Sequence, residues 1–172
     1  MTTAPALRAR AASSPHWWRW LLLAAAVIAL DLATKAMIVA RFQVGEALPV
    51  TSFMSLVLAY NTGAAFSFLA GADGWQRWLF AAIALVASGV MIYLIRRGGS
   101  RTLMLGLALI LGGALGNLYD RIVLGHVTDF LLFHYRGWSW PAFNVADSAI
   151  TVGAGLLILD SFRKPAARGA AS

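Results

Sequence analysis

Four apolar stretches, each long enough or nearly long enough to cross a bilayer core of roughly 30 Å at about 20 residues per helix, commit this chain to a membrane fold. They run from Trp17 to Val39, Trp78 to Ile95, Thr102 to Tyr119 and Pro141 to Leu159. In a 172-residue chain that is 60% hydrophobic and has a mean hydropathy of +0.72, this is more apolar surface than a soluble core could bury. The second and third stretches carry no charge. The first is interrupted by Asp31 and Lys35 and the last by Asp147. Those interruptions need a physical reason, because a charged group at membrane depth requires a partner, a wet cavity or a task.

The basic residues set the orientation. Of the 14 Lys and Arg residues, Arg8, Arg10 and Arg19 stand before or at the very start of the first stretch, Arg96, Arg97 and Arg101 join the second to the third, and Arg163, Lys164 and Arg168 follow the fourth. Nine of the 14 therefore fall on one side. The positive-inside rule makes that side cytoplasmic, so both termini face in and the longer connections, 40–73 and 122–140, face out. Trp17, Trp18 and Trp20 mark the inner interface, and Trp75, Trp78, Trp138 and Trp140 the outer one. This placement accounts for the net charge of +7 better than a nucleic-acid partner would, since no basic amphipathic face is present. A basic stretch ahead of Leu21 to Leu30 could also open a cleaved secretory signal, but apolar character resumes beyond Lys35 at Ile38 and Val39, which suits a retained span. The absence of cysteine removes disulfides, thiolate metal sites and a cysteine nucleophile together.

The first outward connection is too long for a turn and too apolar for a disordered linker, so it should fold at the membrane surface. Phe53 to Tyr60 has strand composition and is followed by the turn signal Asn-Thr-Gly, and Val127 to Tyr135 reads similarly. The expected fold is an all-α integral membrane protein. It is one domain over 1–172, with four transmembrane helices and a small β-sheet and surface segment on the outer face. The first twelve and last eight residues read as frayed tails.

The polar residues fall at helical spacings. Asp31 and Lys35 are four apart, Asn117, Asp120 and Arg121 stand at i, i+3 and i+4, and Asn144 and Asp147 are three apart. Gly125, Gly137 and Pro141 bracket the loop that carries Asp129. A plain ion pair would explain Asp31 and Lys35, and helix capping at the interface would explain Asp120 and Arg121. Taken as independent charges at the bilayer centre, Asp31, Lys35, Asp120, Arg121 and Asp147 would cost roughly 12 to 17 kcal/mol, an upper bound too large for scattered accidents. One shared polar pocket near the outer surface is the economical arrangement. A Ser-Lys dyad is poorly served by Lys35, whose aspartate one turn away keeps it protonated. Zinc drawn to His126, His134, Asp129 and Asp147 would lack any recognised ligand spacing. Asp129 and Asp147 remain. Two carboxylates in one site cannot both ionise cheaply, so one keeps a proton while the other acts as base, and such a pair can activate water against an amide.

The runs Asp31-Leu-Ala-Thr-Lys35, Asn61-Thr-Gly-Ala-Ala-Phe66, Gly116-Asn-Leu-Tyr-Asp-Arg121, Gly125-His-Val-Thr-Asp-Phe130 and Pro141-Ala-Phe-Asn-Val-Ala-Asp147 resemble the lipoprotein signal peptidase (signal peptidase II) family, in the family's order from about Asp31 to Phe162. The resemblance implies an aspartic endopeptidase of the bacterial cytoplasmic (inner) membrane that cleaves prolipoproteins before a diacylglyceryl-modified cysteine. It implies an active site near the outer, periplasmic face, with Asp129 and Asp147 catalytic. Asn61, Asn117, Arg121 and Asn144 would support the reaction, and Asp31, Lys35 and Asp120 would hold the framework. No cofactor and no metal are implied, the partners are the prolipoprotein and membrane lipid, and the enzyme would act as a monomer. Asn117 and Arg121 would orient the substrate or meet the oxyanion, and Phe66 and Phe68 would help cover the pocket. The competing non-enzymatic reading is a small transporter or assembly factor with an Asp/Arg ion path. Against it, the polar residues collect toward one membrane face, and no repeat or broken helix pair appears.

Overall fold

The computed structural model of the protein describes residues 16–63 and 74–162. The apolar stretches become α1 (Trp18–Val39), α2 (Trp75–Arg97) and α3 (Arg101–Val123), and these three are long and apolar enough to cross a membrane. α4 (Val145–Ser161) has 17 residues, about 26 Å at 1.5 Å per residue. The expected helical stretches hold within a few residues, with two instructive shifts. α3 runs on past Tyr119 to Val123, which puts Asp120 and Arg121 inside the helix. α4 begins at Val145 rather than Pro141, because the side chain of Asn144 caps it there.

α3 is the central helix and packs against α1, α2 and α4. Half of its apolar stretch is buried, against 17% for α2. Greater hydrophobicity does not bury a helix here, because lipid is as good a solvent for leucine as a neighbouring helix is; close approach through small residues does. A methyl group added at Gly112 would lie 2.7 Å from Val27 Cβ of α1, and one at Gly153 would lie 2.7 Å from the Gly106 carbonyl. One at Gly113 would strike the Ala146 carbonyl.

A four-stranded antiparallel sheet lies beyond the helices in the order β1 (Ala47–Thr51), β2 (Met54–Asn61), β3 (Val127–Tyr135) and β4 (Trp138–Ser139). The two strands expected from sequence are β2, displaced by one residue, and β3; β1 and β4 had no clear signal. Arg136 and Gly137, both with positive φ (48° and 82°), form the two-residue turn that joins β3 to β4. Leu58 of β2 and Phe130 of β3 are buried against Ile38, which seats the sheet on the C-terminal end of α1. Phe143 bridges to Leu131 and carries the chain from β4 back into α4. Phe66 and Phe68, both chain tails, and Arg8, Arg10, Arg163, Lys164 and Arg168 lie outside the described residues.

Candidate active site

α4 begins with a reciprocal cap that fixes two of the expected residues at once. Asn144 Oδ1 accepts the Asp147 amide at 2.9 Å, and Asp147 Oδ2 accepts the Asn144 amide at 3.3 Å. With its oxygen committed to the cap, Asn144 turns Nδ2 the other way, onto Asp129 Oδ1 at 2.8 Å. Asp129 comes from β3, directly opposite Ala59 on β2. Asn61 is two residues further along β2 and therefore on the same face, and its Nδ2 donates to Asp129 Oδ2 at 3.2 Å. The Asn61 oxygen in turn accepts the Gly63 amide at 3.0 Å.

Asn117 of α3 closes the ring by donating Nδ2 to Asp147 Oδ1 at 2.8 Å, while its own oxygen accepts from Lys35 Nζ at 3.0 Å and Asn144 Nδ2 at 3.3 Å. Lys35 also pairs with Asp31 at 2.7 Å and Asp120 at 2.9 Å, all three being buried. Asp31 accepts the Ala146 amide at 2.9 Å, and Asp120 accepts the Thr128 amide at 3.1 Å. One polar network thus joins α1, α3, β3 and α4 and gathers Asp31, Lys35, Asp120 and Asp147 out of the expected set of five charges. Arg121 stands apart from the ring. It donates to the carbonyls of Asn117 at 3.2 Å and Gly63 at 3.3 Å, and its guanidinium lies 5.3 Å from the centre of the Phe80 ring.

A cavity of about 990 Å³ opens beside the two aspartates. Its polar wall includes Asn61, Asn117, Arg121, Asp129 and Asp147, and its apolar wall includes Phe133, Trp138, Trp140, Phe143 and Val152. A largely apolar cavity with a few convergent polar groups is the form a binding site usually takes. Burial, and after it the charge of Asp147, pushes the Asp129 carboxyl up to about 7 against the opposing hydrogen bonds from Asn61 and Asn144. The histidines are engaged elsewhere: His126 packs its ring on Tyr60 at 4.0 Å, and His134 shares a 2.9 Å hydrogen bond with Ser55. Among the described residues no three His, Asp or Glu side chains converge as metal ligands.

Sequence reasoning missed two participants. The Gly63 carbonyl anchors Arg121, and Thr128 links Asp120 to Asn144 through its own backbone, with its carbonyl accepting Asn144 Nδ2 at 3.3 Å. Backbone partners leave no compositional trace. The cap of α4 was within reach, because an Asn followed three residues later by an acidic residue ahead of an apolar run is a helix-start signature.

Residues 23–163 match the family described as Signal peptidase (SPase) II. The chain is 58% identical to the lipoprotein signal peptidase of Paraburkholderia phytofirmans over 146 residues, 84% of this chain and 85% of that protein. It is 52% identical to the lipoprotein signal peptidase of Cupriavidus necator over 161 residues, 93% of this chain and 92% of that protein. Its fold matches a solved bacterial membrane enzyme with a TM-score of 0.80 at 25% identity, over 95% of this chain and 99% of the other.

Proposed function

Because the chain belongs to the signal peptidase II family, we propose that Asp129 and Asp147 are the catalytic pair with which this membrane aspartic endopeptidase removes signal peptides from prolipoproteins. One observation carries the assignment. These two carboxylates line a cavity and receive hydrogen bonds from neutral amides alone, with no cation within ion-pair distance among the described residues. Such a pair favours holding one proton between its members.

The chemistry follows from that shared proton. The ionised aspartate takes a proton from water as the oxygen attacks the amide carbon, and the protonated aspartate gives its proton to the carbonyl oxygen. Collapse of the tetrahedral species returns a proton to one aspartate, passes one from the other to the leaving nitrogen, and breaks the C–N bond. The products are a signal peptide ending in a carboxylate and a mature lipoprotein with a free amino group. Asn117 and Asn144 have their amide donors committed to the pair, so their part is to fix it. Arg121 lines the cavity and lends positive charge to that wall, so it is the group placed to meet the substrate carbonyl.

The substrate is a prolipoprotein whose cysteine carries a diacylglyceryl group, cleaved just before that cysteine. The aromatic and aliphatic wall formed by Phe133, Trp138, Trp140 and Val152 suits acyl chains. α4 serves as the fourth transmembrane span, with the 141–144 segment completing the crossing. Arg19, Arg96, Arg97 and Arg101, at the helix ends away from the sheet, support a cytoplasmic position for that end. The sheet and cavity then sit at the periplasmic face of the inner membrane, and one chain supplies both aspartates, consistent with action as a monomer. The test is incubation of the purified protein with a diacylglyceryl-modified prolipoprotein, measuring release of the signal peptide. Cleavage by the native chain and none by folded Asp129→Asn is expected. An equal rate from that variant would refute the assignment.

A further inference from the structure

Lys35 is a buried charged group that the hydrolysis above does not use, and it does not line the cavity. It spends three donors inside the protein, on Asp31 at 2.7 Å, Asp120 at 2.9 Å and the Asn117 oxygen at 3.0 Å. Neutralising the two acids accounts for the first two contacts. The third goes to a neutral amide, and it is the one that bears on the aspartate pair.

An asparagine amide has nearly the same shape when its oxygen and nitrogen exchange places, so only its partners fix which atom points where. Asn144 is oriented by the Asp147 backbone amide and Asn61 by that of Gly63. Among the described residues the Asn117 oxygen receives no backbone donor. Its partners are the Lys35 ammonium and, at 3.3 Å, the Nδ2 of Asn144. Turned over, Asn117 would set donor against donor at Lys35 and oxygen against oxygen at Asp147. The ammonium, with no acceptor lone pair, forbids that arrangement.

We propose that Lys35 is a positioning residue for the catalytic pair: it captures the Asn117 oxygen and thereby obliges Asn117 Nδ2 to face Asp147. This rests on the assignment of Asp129 and Asp147 given above. Without Lys35 the Asn117 oxygen keeps only the 3.3 Å contact from Asn144 Nδ2, and an Asp147 carboxyl that holds the shared proton can draw that oxygen to itself, which removes a fixed donor from one member of the pair while the cavity walls that hold substrate stay as they are. The loss should therefore appear in kcat and not in KM.

The test is steady-state cleavage of a diacylglyceryl-modified prolipoprotein by Lys35→Met, Asn117→Leu and the double variant of the full chain. Lys35→Met is expected to lower kcat about 100-fold, the usual scale for loss of one fixed donor, with KM within about threefold of the native value. In the Asn117→Leu background, where there is no amide to orient, Lys35→Met should add almost nothing. If Lys35→Met leaves Asp31 and Asp120 unpaired and does not fold, the neutral cluster Asp31→Asn, Lys35→Met, Asp120→Asn takes its place with the same expectation. Native kcat in either folded Lys35 variant, a loss carried by KM, or losses that multiply in the double variant would overturn the proposal. Failure of the underlying catalytic assignment is distinguishable, because Asp129→Asn would then still cleave.

Discussion

Two pairs of aspartates occupy the same polar network and differ in what surrounds them. Asp31 and Asp120 share the Lys35 ammonium at 2.7 and 2.9 Å. Asp129 and Asp147 are met by the side-chain amides of Asn61, Asn144 and Asn117 and by a backbone N–H. Burial alone does not sort them, since Asp31, Asp120 and Asp129 are all buried, Asp120 at 1% and Asp129 at 3% exposure, and only Asp147, at the cavity, is half-buried. A carboxylate locked to a cation gives its charge to the fold. One held by neutral donors keeps a proton equilibrium that chemistry can use. On the proposed assignment the first pair is framework and the second does the acid and base work.

The largest expected effect tests the second pair. Asp129→Asn and Asp147→Asn should each lower cleavage by about a thousandfold or more while the protein still inserts and melts cooperatively, because both steps need an ionisable carboxyl. Asp31→Asn and Asp120→Asn should do the opposite. Breaking a buried pair costs about 3–5 kcal/mol, so yield and melting temperature in detergent should drop, while the protein that does fold keeps a larger share of its turnover. An Asp120→Asn variant that melts like the native protein but is as inactive as Asp129→Asn would erase the distinction.

pH separates the pairs next. With the Asp129 carboxyl at about 7, the singly protonated pair persists below that value, so the cleavage rate should fall as pH rises through about 7. Stability follows the same group. A carboxyl raised from its ordinary 3.8 contributes stability that is whole below about pH 4 and is lost as pH rises through about 7. Asp129→Asn should therefore gain on the native protein between pH 4 and 8, by up to about 4 kcal/mol, in matched thermal melts. A flat difference across that range would mean that Asp129 is ionised throughout.

A smaller perturbation reaches the framework without touching its charges. A methyl group at Gly116 would lie 2.7 Å from the Asp31 carboxylate oxygen that faces Lys35. Gly116→Ala should cost about 1–3 kcal/mol through that contact. Gly89→Ala on α2, where nothing lies within 4 Å, should be neutral in the same melts. Equal behaviour of the two would show that α3 tolerates a shift large enough to spare the ion pair.

Much of this was legible in the sequence because membrane helices announce themselves by unbroken apolar length, and because charges inside them are too costly to be incidental. Lys35 beside Asp31 could be read from a four-residue spacing, and Asn144 beside Asp147 from three. The contact of Lys35 with Asp120 could not, since it spans 85 positions and leaves no periodic trace. The central place of α3 was also hidden. Its hydropathy is lower than that of α2, which by itself does not mark a buried helix, and what sets it apart is the run of glycines that lets α1 and α4 approach. The β1 strand was not legible because its five residues, Pro49 among them, are all exposed and carry no alternating pattern.

Thr128 sits where the two pairs meet, and it offers the smallest and sharpest test. Its amide donates to Asp120 on the framework side, and its carbonyl accepts from Asn144 on the reactive side. Its hydroxyl is buried and makes no hydrogen bond among the described residues. The linkage is therefore made entirely by backbone, and the side chain contributes volume. Thr128→Val keeps the branched shape and the backbone, and it removes a hydroxyl that was desolvated without compensation, so it should leave the protein unchanged or about 1 kcal/mol more stable. Turnover should stay within about twofold, because the groups that touch the aspartates are untouched. A tenfold loss of kcat in a normally melting Thr128→Val protein would show that the hydroxyl is held in reserve for the substrate, and it would move Thr128 from the joint between the pairs into the reacting group itself.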